Sequence, residues 1–600
     1  MSNNILERHE IPTHDTWDLE SIFLNDKQWE QAAREFKEQV TEVEVFRGKL
    51  SESADTLLQA LSKHLELEEK LGKLFTYAHM RHDQDTGNSY YAALHDQAYG
   101  LISLLEQKAS YITPELLAMD PEQLSRYVAE HKQLQDFSHM FDQLKKQREH
   151  ILSEKEEELL ARAKEALLAS SQAFGALNNA DLTFPTIKNE KGEDVQITHG
   201  RFVPLLQSEN REIRKAAFEA VYSTYEKYKN TFAATLSGQV KGDIFNAQSR
   251  KYANAREAAL SETHIPVGVY DSLVETVEEH LPLLHRYVNL RKKCLGVDEL
   301  HMYDLYTPII KDVEFTVTYE EAKQKVIEAV KPLGDEYVKR LTEGFENRWV
   351  DIHENKGKRS GAYSSGAYGT KPFILMNWQD DVDNLFTLAH EFGHSMHSDY
   401  TRNNQPYVYG DYTIFVAEVA STLNEALLHH YFIKNLDDKE KKLYILNYFL
   451  EGFRGTVFRQ TMFAEFEQMI HEKVEAGGAL TADELTSMYY DLNVKYYGKD
   501  MVVDEEIGFE WARIPHFYYN FYVFQYATGY SAAAALSKQV LEEGQPAVER
   551  FIDFLKTGSS DYPIEMLKKA GVDMTTSEPI KQAMQLFEKT LDQIEELLED

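Results

Sequence analysis

The sequence predicts a mainly helical protein, on three observations. Pro and Gly are scarce, 15 and 29 in 600 residues, so breaks are few and long helices are favoured. Apolar residues recur at steps of three and four along most of the chain. Only two short stretches interrupt that rhythm with strand-like texture.

The first helix is signalled by Trp29, Ala33, Phe36, Val40 and Val43, behind an N-cap at Asn25 or Asp26. A second stripe runs through Leu57, Leu61, Leu65 and Leu71, breaks at Asp85-Thr86-Gly87-Asn88-Ser89, and resumes through Tyr91, Leu94, Leu101 and Leu105. Thr113-Pro114 and Asp120-Pro121 mark helix starts with Pro in the first turn. Ser153 opens a helix rich in Glu and Lys, a solvated face. Then the texture changes. Leu182 to Ile187 and Val195 to Thr198 predict short strands joined by a turn at Asn189 to Gly192, with Pro185 confining its strand to a sheet edge or end. Ser208 is expected to cap a long helix through Ile213, Ala217 and Val221, and helices continue to about residue 347. The second strand cluster is Trp349 to Ile352, a Gly/Ser/Tyr-rich stretch from Gly361 to Gly369, and Phe373 to Met376. From Asn384 onward the pattern is helical again. The expected division is an N-terminal helical lobe, residues 1–181, and a catalytic domain, residues 182–600.

The chain carries 99 acidic and 64 basic residues, a formal charge of −35. That balance opposes nucleic acid, whose backbone is bound by Lys and Arg, and it opposes anionic membranes. No apolar run reaches membrane length, and the opening MSNNILERHE lacks the apolar centre of a signal peptide. Cys294 is the one cysteine, so no disulfide forms within the chain, and a cytoplasmic location is expected.

Chemistry concentrates in His390-Glu391-Phe392-Gly393-His394. Residues four apart on a helix share one face, so the two imidazoles can hold one zinc while Glu391 reaches a zinc-bound water. Leu385, Ala389, Phe392 and Met396 form an apolar stripe, and Asp381 and Asp383 are candidate N-caps. The five residues alone are not decisive, since a bare motif match carries a real risk of coincidence; a third ligand gives them weight. On a continuous helix His397 stands about 10.5 Å along the axis from His390, which strains ligation by all three histidines, so His397 is the weaker candidate. Glu418 is the stronger: it is a lone acid in the apolar helical run Phe415 to Thr422, and a metal removes the cost of burying it. One catalytic zinc per chain is expected.

Downstream, the segment from His516 to Tyr526 offers donors for an oxyanion. Tyr519, Tyr522 and Tyr526 fall on one helical face that Tyr530 extends. The stretch from Gly361 to Gly369 is a candidate lining for the substrate path, where a sheet edge would pair with an extended peptide.

These features resemble the thimet oligopeptidase and oligoendopeptidase group of zinc metallopeptidases, and within it the oligoendopeptidase F branch. The resemblance spans nearly the whole chain and rests on four stretches. They are Thr16-Trp17-Asp18-Leu19, the run His390 to His397, Phe415 to Glu425, and Ile514-Pro515-His516-Phe517-Tyr518-Tyr519. It implies a two-lobed, prolate helical fold with a deep central channel and a small β-sheet beside the zinc-binding helix. It also implies hydrolysis of internal bonds in short unstructured oligopeptides, a role in peptide metabolism. The family's ligands fall on His390, His394 and Glu418. Its His and two tyrosines sit on a glycine-rich loop; this chain keeps His516 but has aromatic residues in place of the glycines, so the choice among Tyr519, Tyr522 and Tyr526 stays open. Glu425 is the first candidate to orient a zinc histidine. Two rival readings are a metallocarboxypeptidase or dipeptidyl carboxypeptidase on the same scaffold and a non-catalytic helical protein with a structural zinc. No motif identifies the carboxylate clamp that the former requires.

Overall fold

The computed structural model describes residues 5–310 and 313–599. Among them the chain is mostly helix, and its strands are short: β1 Thr186–Lys188, β2 Asp194–Gln196, β3 Leu300–His301, β4 Val350–Asp351, β5 Tyr363–Ser365, β6 Phe373–Leu375 and β7 Met501–Val502. Six helices carry the account that follows: α1 Ala54–Asp83, α2 Ser89–Ala109, α3 Val382–Asn404, α4 Ile414–Asn435, α5 Arg459–Glu475 and α6 Phe524–Glu543. Two compact units interleave along the chain. One is assembled from Met1–Glu149, Phe315–Tyr431 and Leu536–Val572, the other from His150–Glu314, Phe432–Ala535 and Asp573–Asp600. The boundary expected at residue 182 falls inside the second unit. No helix among the described residues is long and apolar enough to cross a membrane.

In the first unit, α1 and α2 are separated by the break at residues 85–89, and Asn88 caps α2 by accepting from the Tyr90 amide at 3.1 Å. Asn25, not Asp26, caps the helix Asp26–Gln39. The Thr-Trp-Asp-Leu stretch has a structural use. Trp17 is buried, its indole donating to Gln84 at 3.2 Å and its amide to Asp351 at 3.4 Å. Asp351, on β4, is buried between Arg8 and Lys358, so a charge that would be costly alone is paired on both sides. The sheet has the order β4-β6-β5, with β6 parallel to β4 and antiparallel to β5. Phe373-Ile374-Leu375 is apolar throughout and fully buried, which suits the central strand. Tyr363–Ser365, inside the Gly/Ser/Tyr-rich stretch, forms the edge.

In the second unit, β1 and β2 form the expected hairpin. Asn189 Oδ1 accepts from the Lys191 and Glu193 amides, and Gly192 takes φ +77°. The cap expected at Ser208 moves two residues: Asn210 accepts from Glu212 N at 3.0 Å, and Ser208 Oγ accepts from Asn210 N instead. A second correction concerns the tyrosines. Residues 519–523 are not helical; a short 3-10 turn, Pro515–Tyr518, leads to Asn520 and Phe521 at φ +46° and +56°, and α6 begins only at Phe524. The single helical face therefore holds for Tyr526 and Tyr530 alone.

Candidate metal centre

Asp381 starts α3 by accepting from the Asn384 amide at 2.7 Å, immediately after β6 and its short connection. Leu385, Ala389, Phe392 and Met396 are buried, which turns His390 and His394 together to the opposite side. Their Nε2 atoms lie 3.1 Å apart with the rings near perpendicular at 84°. Helix α4 brings the third group: Glu418 Oε2 is 3.3 Å from His390 Nε2 and 3.4 Å from His394 Nε2.

Gly393 explains the approach of the two helices. A Cβ there would run into the Ser421 backbone and lie 2.6 Å from the Ala420 carbonyl oxygen, so α3 and α4 meet backbone to backbone. Asn424 ties the contact, donating to Ala389 O at 3.1 Å while accepting from Tyr337 OH at 2.9 Å. Two turns along α4 from Glu418, Glu425 Oε1 lies 2.5 Å from His390 Nδ1. A proton held on Nδ1 leaves the Nε2 lone pair facing the other donors.

The donor set fits a zinc ion. Ligands about 2.0–2.1 Å from a tetrahedral ion stand about 3.4 Å from one another, and the three atoms here are separated by 3.1, 3.3 and 3.4 Å. Among the described residues this is the one trio of His, Cys, Asp or Glu side chains at such spacing. The electrostatics favour positive charge. Burial opposes a charged His390, but Glu418 and Glu425 override it and raise its pKa well above the ordinary value. Burial likewise opposes an ionised Glu418, and the two imidazoles hold its carboxyl far below the usual range.

Glu391 is 7% exposed, and its Oε2 has no hydrogen-bond partner. Burial raises its pKa against the opposing pull of His390 and His394. Ser364 Oγ meets Ser395 Oγ at 2.8 Å, fixing β5 to α3. Ser364 lies within the Gly361–Gly369 stretch that the sequence places in the strand cluster and in the candidate lining, but the sequence does not single it out.

His397 stands outside the trio. It is fully buried, its ring stacks on Tyr412 at 3.7 Å and 3°, and neither nitrogen has a partner. Burial pushes its pKa down to about 3, so the ring is a neutral packing element.

In the second unit, His516 gathers the three candidate tyrosines without a common helical face. Ring centroids lie 5.6 Å from Tyr519, 6.2 Å from Tyr522 and 6.0 Å from Tyr526. Burial lowers the His516 pKa, which keeps the ring neutral near pH 7.

A helix presenting two imidazoles and a neighbouring carboxylate, with a buried acid beside them, is the kind of site metallopeptidases carry, and comparison with known proteins agrees. Residues 204–586 match the family model described as Peptidase family M3, and residues 115–184 match that of Oligopeptidase F. The chain is 59% identical over 597 residues to Oligopeptidase PepF of Bacillus subtilis, covering 100% of this chain and 89% of that one. It is 46% identical over 593 residues to the plasmid Oligoendopeptidase F of Lactococcus lactis subsp. cremoris, covering 99% and 98%. The crystal structure of oligoendopeptidase-F from Enterococcus faecium superposes with a TM-score of 0.75 at 43% identity, covering 96% and 99%. The chain is a metallopeptidase. It belongs to peptidase family M3, in the oligoendopeptidase F branch.

Proposed function

We propose that this chain is a zinc-dependent endopeptidase that hydrolyses internal bonds of short, unstructured oligopeptides, with His390, His394 and Glu418 holding one zinc. The observation that carries this reading is the trio of donors 3.1 to 3.4 Å apart beside the buried carboxylate of Glu391, whose Oε2 has no hydrogen-bond partner. A zinc ion bound there supplies Lewis acidity, making water a nucleophile near neutral pH and polarising the scissile carbonyl.

Glu391 moves the proton. Oε2, buried and without a hydrogen-bond partner, takes it from the attacking water. The same carboxyl then delivers it to the departing amine nitrogen. Glu425 holds the His390 ring in one orientation through Nδ1. β5 is an edge strand, suited to pairing with an extended peptide backbone, and Ser364 Oγ ties it to α3. His516 and one or more of Tyr519, Tyr522 and Tyr526 donate to the oxyanion, a role supported by their clustering and by the family resemblance. An extended segment suits this pairing, and folded proteins bury their backbone hydrogen bonds; release of one costs up to the global stability. The test is mass spectrometry of products from a mixed peptide library, run beside metal analysis of the wild type and Glu418→Ala. Internal cleavage and zinc lost with Glu418 are expected; products trimmed only from C-termini, or full zinc in Glu418→Ala, would refute the reading.

A further inference from the structure

The segment from His516 to Tyr522 carries aromatic residues of two kinds, buried and outward-facing. Phe517 and Phe521 point inward and are buried. Phe517 packs on Phe463 and Phe466 of α5, with ring centroids 5.5 and 5.1 Å away. Phe521 packs on His471 of the same helix, at 4.5 Å. Tyr519, between them, is 55% exposed, and it belongs with Tyr522 and Tyr526 to the group round His516. The segment turns through two consecutive left-handed residues, Asn520 and Phe521. Neither is glycine, and L side chains are disfavoured there, a bulky one above all. Something outside the segment must therefore hold the turn.

That something is on α5. Glu467 is fully buried, and its Oε1 accepts from the Phe521 amide at 2.7 Å. Its Oε2 has no hydrogen-bond partner, so the bond to Phe521 is what this carboxyl spends its burial on. Asp243 and His471 flank it, His471 Nδ1 meeting the Glu467 carbonyl at 2.8 Å and Nε2 meeting Asp243 Oδ2 at 3.4 Å. The same helix grips the chain upstream of His516. Arg459 Nη2 donates to buried Glu510 at 2.7 Å, and Glu510 also accepts from Arg513 and Tyr489. Arg459 and Glu467 are eight residues apart, about 12 Å along the axis, so one rigid rod fixes both ends of the loop.

We propose that Glu467 is a positioning residue for catalysis, acting by holding the left-handed Asn520–Phe521 turn that gathers Tyr519, Tyr522 and Tyr526 round His516. The assignment rests on the proposed role of that group at the oxyanion. A left-handed backbone position that glycine reaches freely is here held, with Asn and Phe in it, by a buried acceptor.

The experiment measures kcat and KM of the zinc-loaded full chain on a short quenched peptide, with zinc content and far-UV circular dichroism as controls. Glu467→Ala is expected to lower kcat about tenfold or more and to leave KM within about twofold, because the donors act only as charge develops. Glu467→Gln keeps the acceptor and should stay within about threefold of wild type. Glu467→Asp keeps the carboxyl but withdraws the acceptor by one methylene, and should behave like Glu467→Ala; it serves if the alanine variant does not fold. In a His516→Ala background, Glu467→Ala should cost much less than it does alone, since residues acting as one unit are not additive. Equal losses in both backgrounds, a kcat within twofold of wild type for Glu467→Ala and Glu467→Asp, or a Gln variant as poor as Ala would overturn the positioning role. If His516→Ala and the three Tyr→Phe variants all leave kcat unchanged, the reading of the loop fails first. A loss at His516 with none at Glu467 rejects only the positioning role.

Discussion

The candidate metal centre and the His516 loop place their side chains in opposite ways. At the centre, every group sits on a regular element: His390, Glu391 and His394 on α3, Glu418 and Glu425 on α4, Ser364 on β5. Helical pitch and one close contact at Gly393 set the distances. In the loop, His516, Tyr519 and Tyr522 lie on a turn that includes two left-handed, non-glycine residues, and a buried carboxylate from a distant helix holds it. The first arrangement follows from spacing along the chain. The second follows from tertiary contacts that spacing does not encode.

The sharpest probe of the first arrangement is Glu391→Gln. The amide cannot take the proton, so turnover should fall by about 10³-fold, while zinc content and melting temperature stay near wild type. Turnover within tenfold of wild type in a metal-replete preparation would remove Glu391 from its role.

Gly393→Ala tests whether backbone contact, rather than the ligands themselves, builds the centre. Its Cβ would lie 2.6 Å from Ala420 O, forcing α3 from α4 and carrying Glu418 away from the histidines. Overpacking of this kind costs about 1–3 kcal/mol. A lower melting temperature with weakened zinc binding is expected, although every ligand remains. Unchanged zinc affinity would mean that the helices have slack.

These two positions show what is legible from sequence. Repetition along a helix is visible, so the shared face of His390 and His394 can be read directly, as can Glu418, the lone acid in an apolar run. Caps at Asn25, Asp120, Ser153 and Asp381 are equally local, each a short polar side chain ahead of a periodic segment. The misplacement at Ser208 is of the same kind, since two residues that can both cap stand two apart. Gly393 looks like spacing filler until the partner helix is seen. Tyr519 and Tyr522 follow a helical period without being helical, because Glu467, some fifty residues earlier, stabilises the alternative. Contacts of that range leave no periodic trace.

Glu425→Gln is a milder probe. The amide still reaches His390 Nδ1 but no longer offers a charged acceptor at 2.5 Å. Outer partners of metal histidines typically contribute 10–100-fold in affinity, so zinc should be lost to a chelator at correspondingly lower concentrations. Full retention would mean that Glu425 orients nothing.

The smallest expected effect on activity separates motif from ligand at His397, which follows His394 closely in sequence yet makes no polar contact. His397→Phe should keep its zinc and hold kcat within about twofold of wild type, because an aromatic ring of similar size still stacks on Tyr412. Stability against pH is where the substitution should show. In the folded chain burial depresses the His397 pKa to about 3, whereas an unfolded histidine titrates near ~6.5. Between those values the unfolded state binds one more proton than the folded state. This histidine therefore adds nothing above about pH 6.5 and favours unfolding increasingly as pH falls, by about 1.4 kcal/mol per pH unit. Phenylalanine removes that contribution. Denaturant melts of wild type and variant at pH 7.5 and pH 5 should show the wild type losing about 2 kcal/mol more than the variant over that step. Equal losses would mean that His397 is charged in the folded chain, and loss of zinc from the variant would make it a ligand after all.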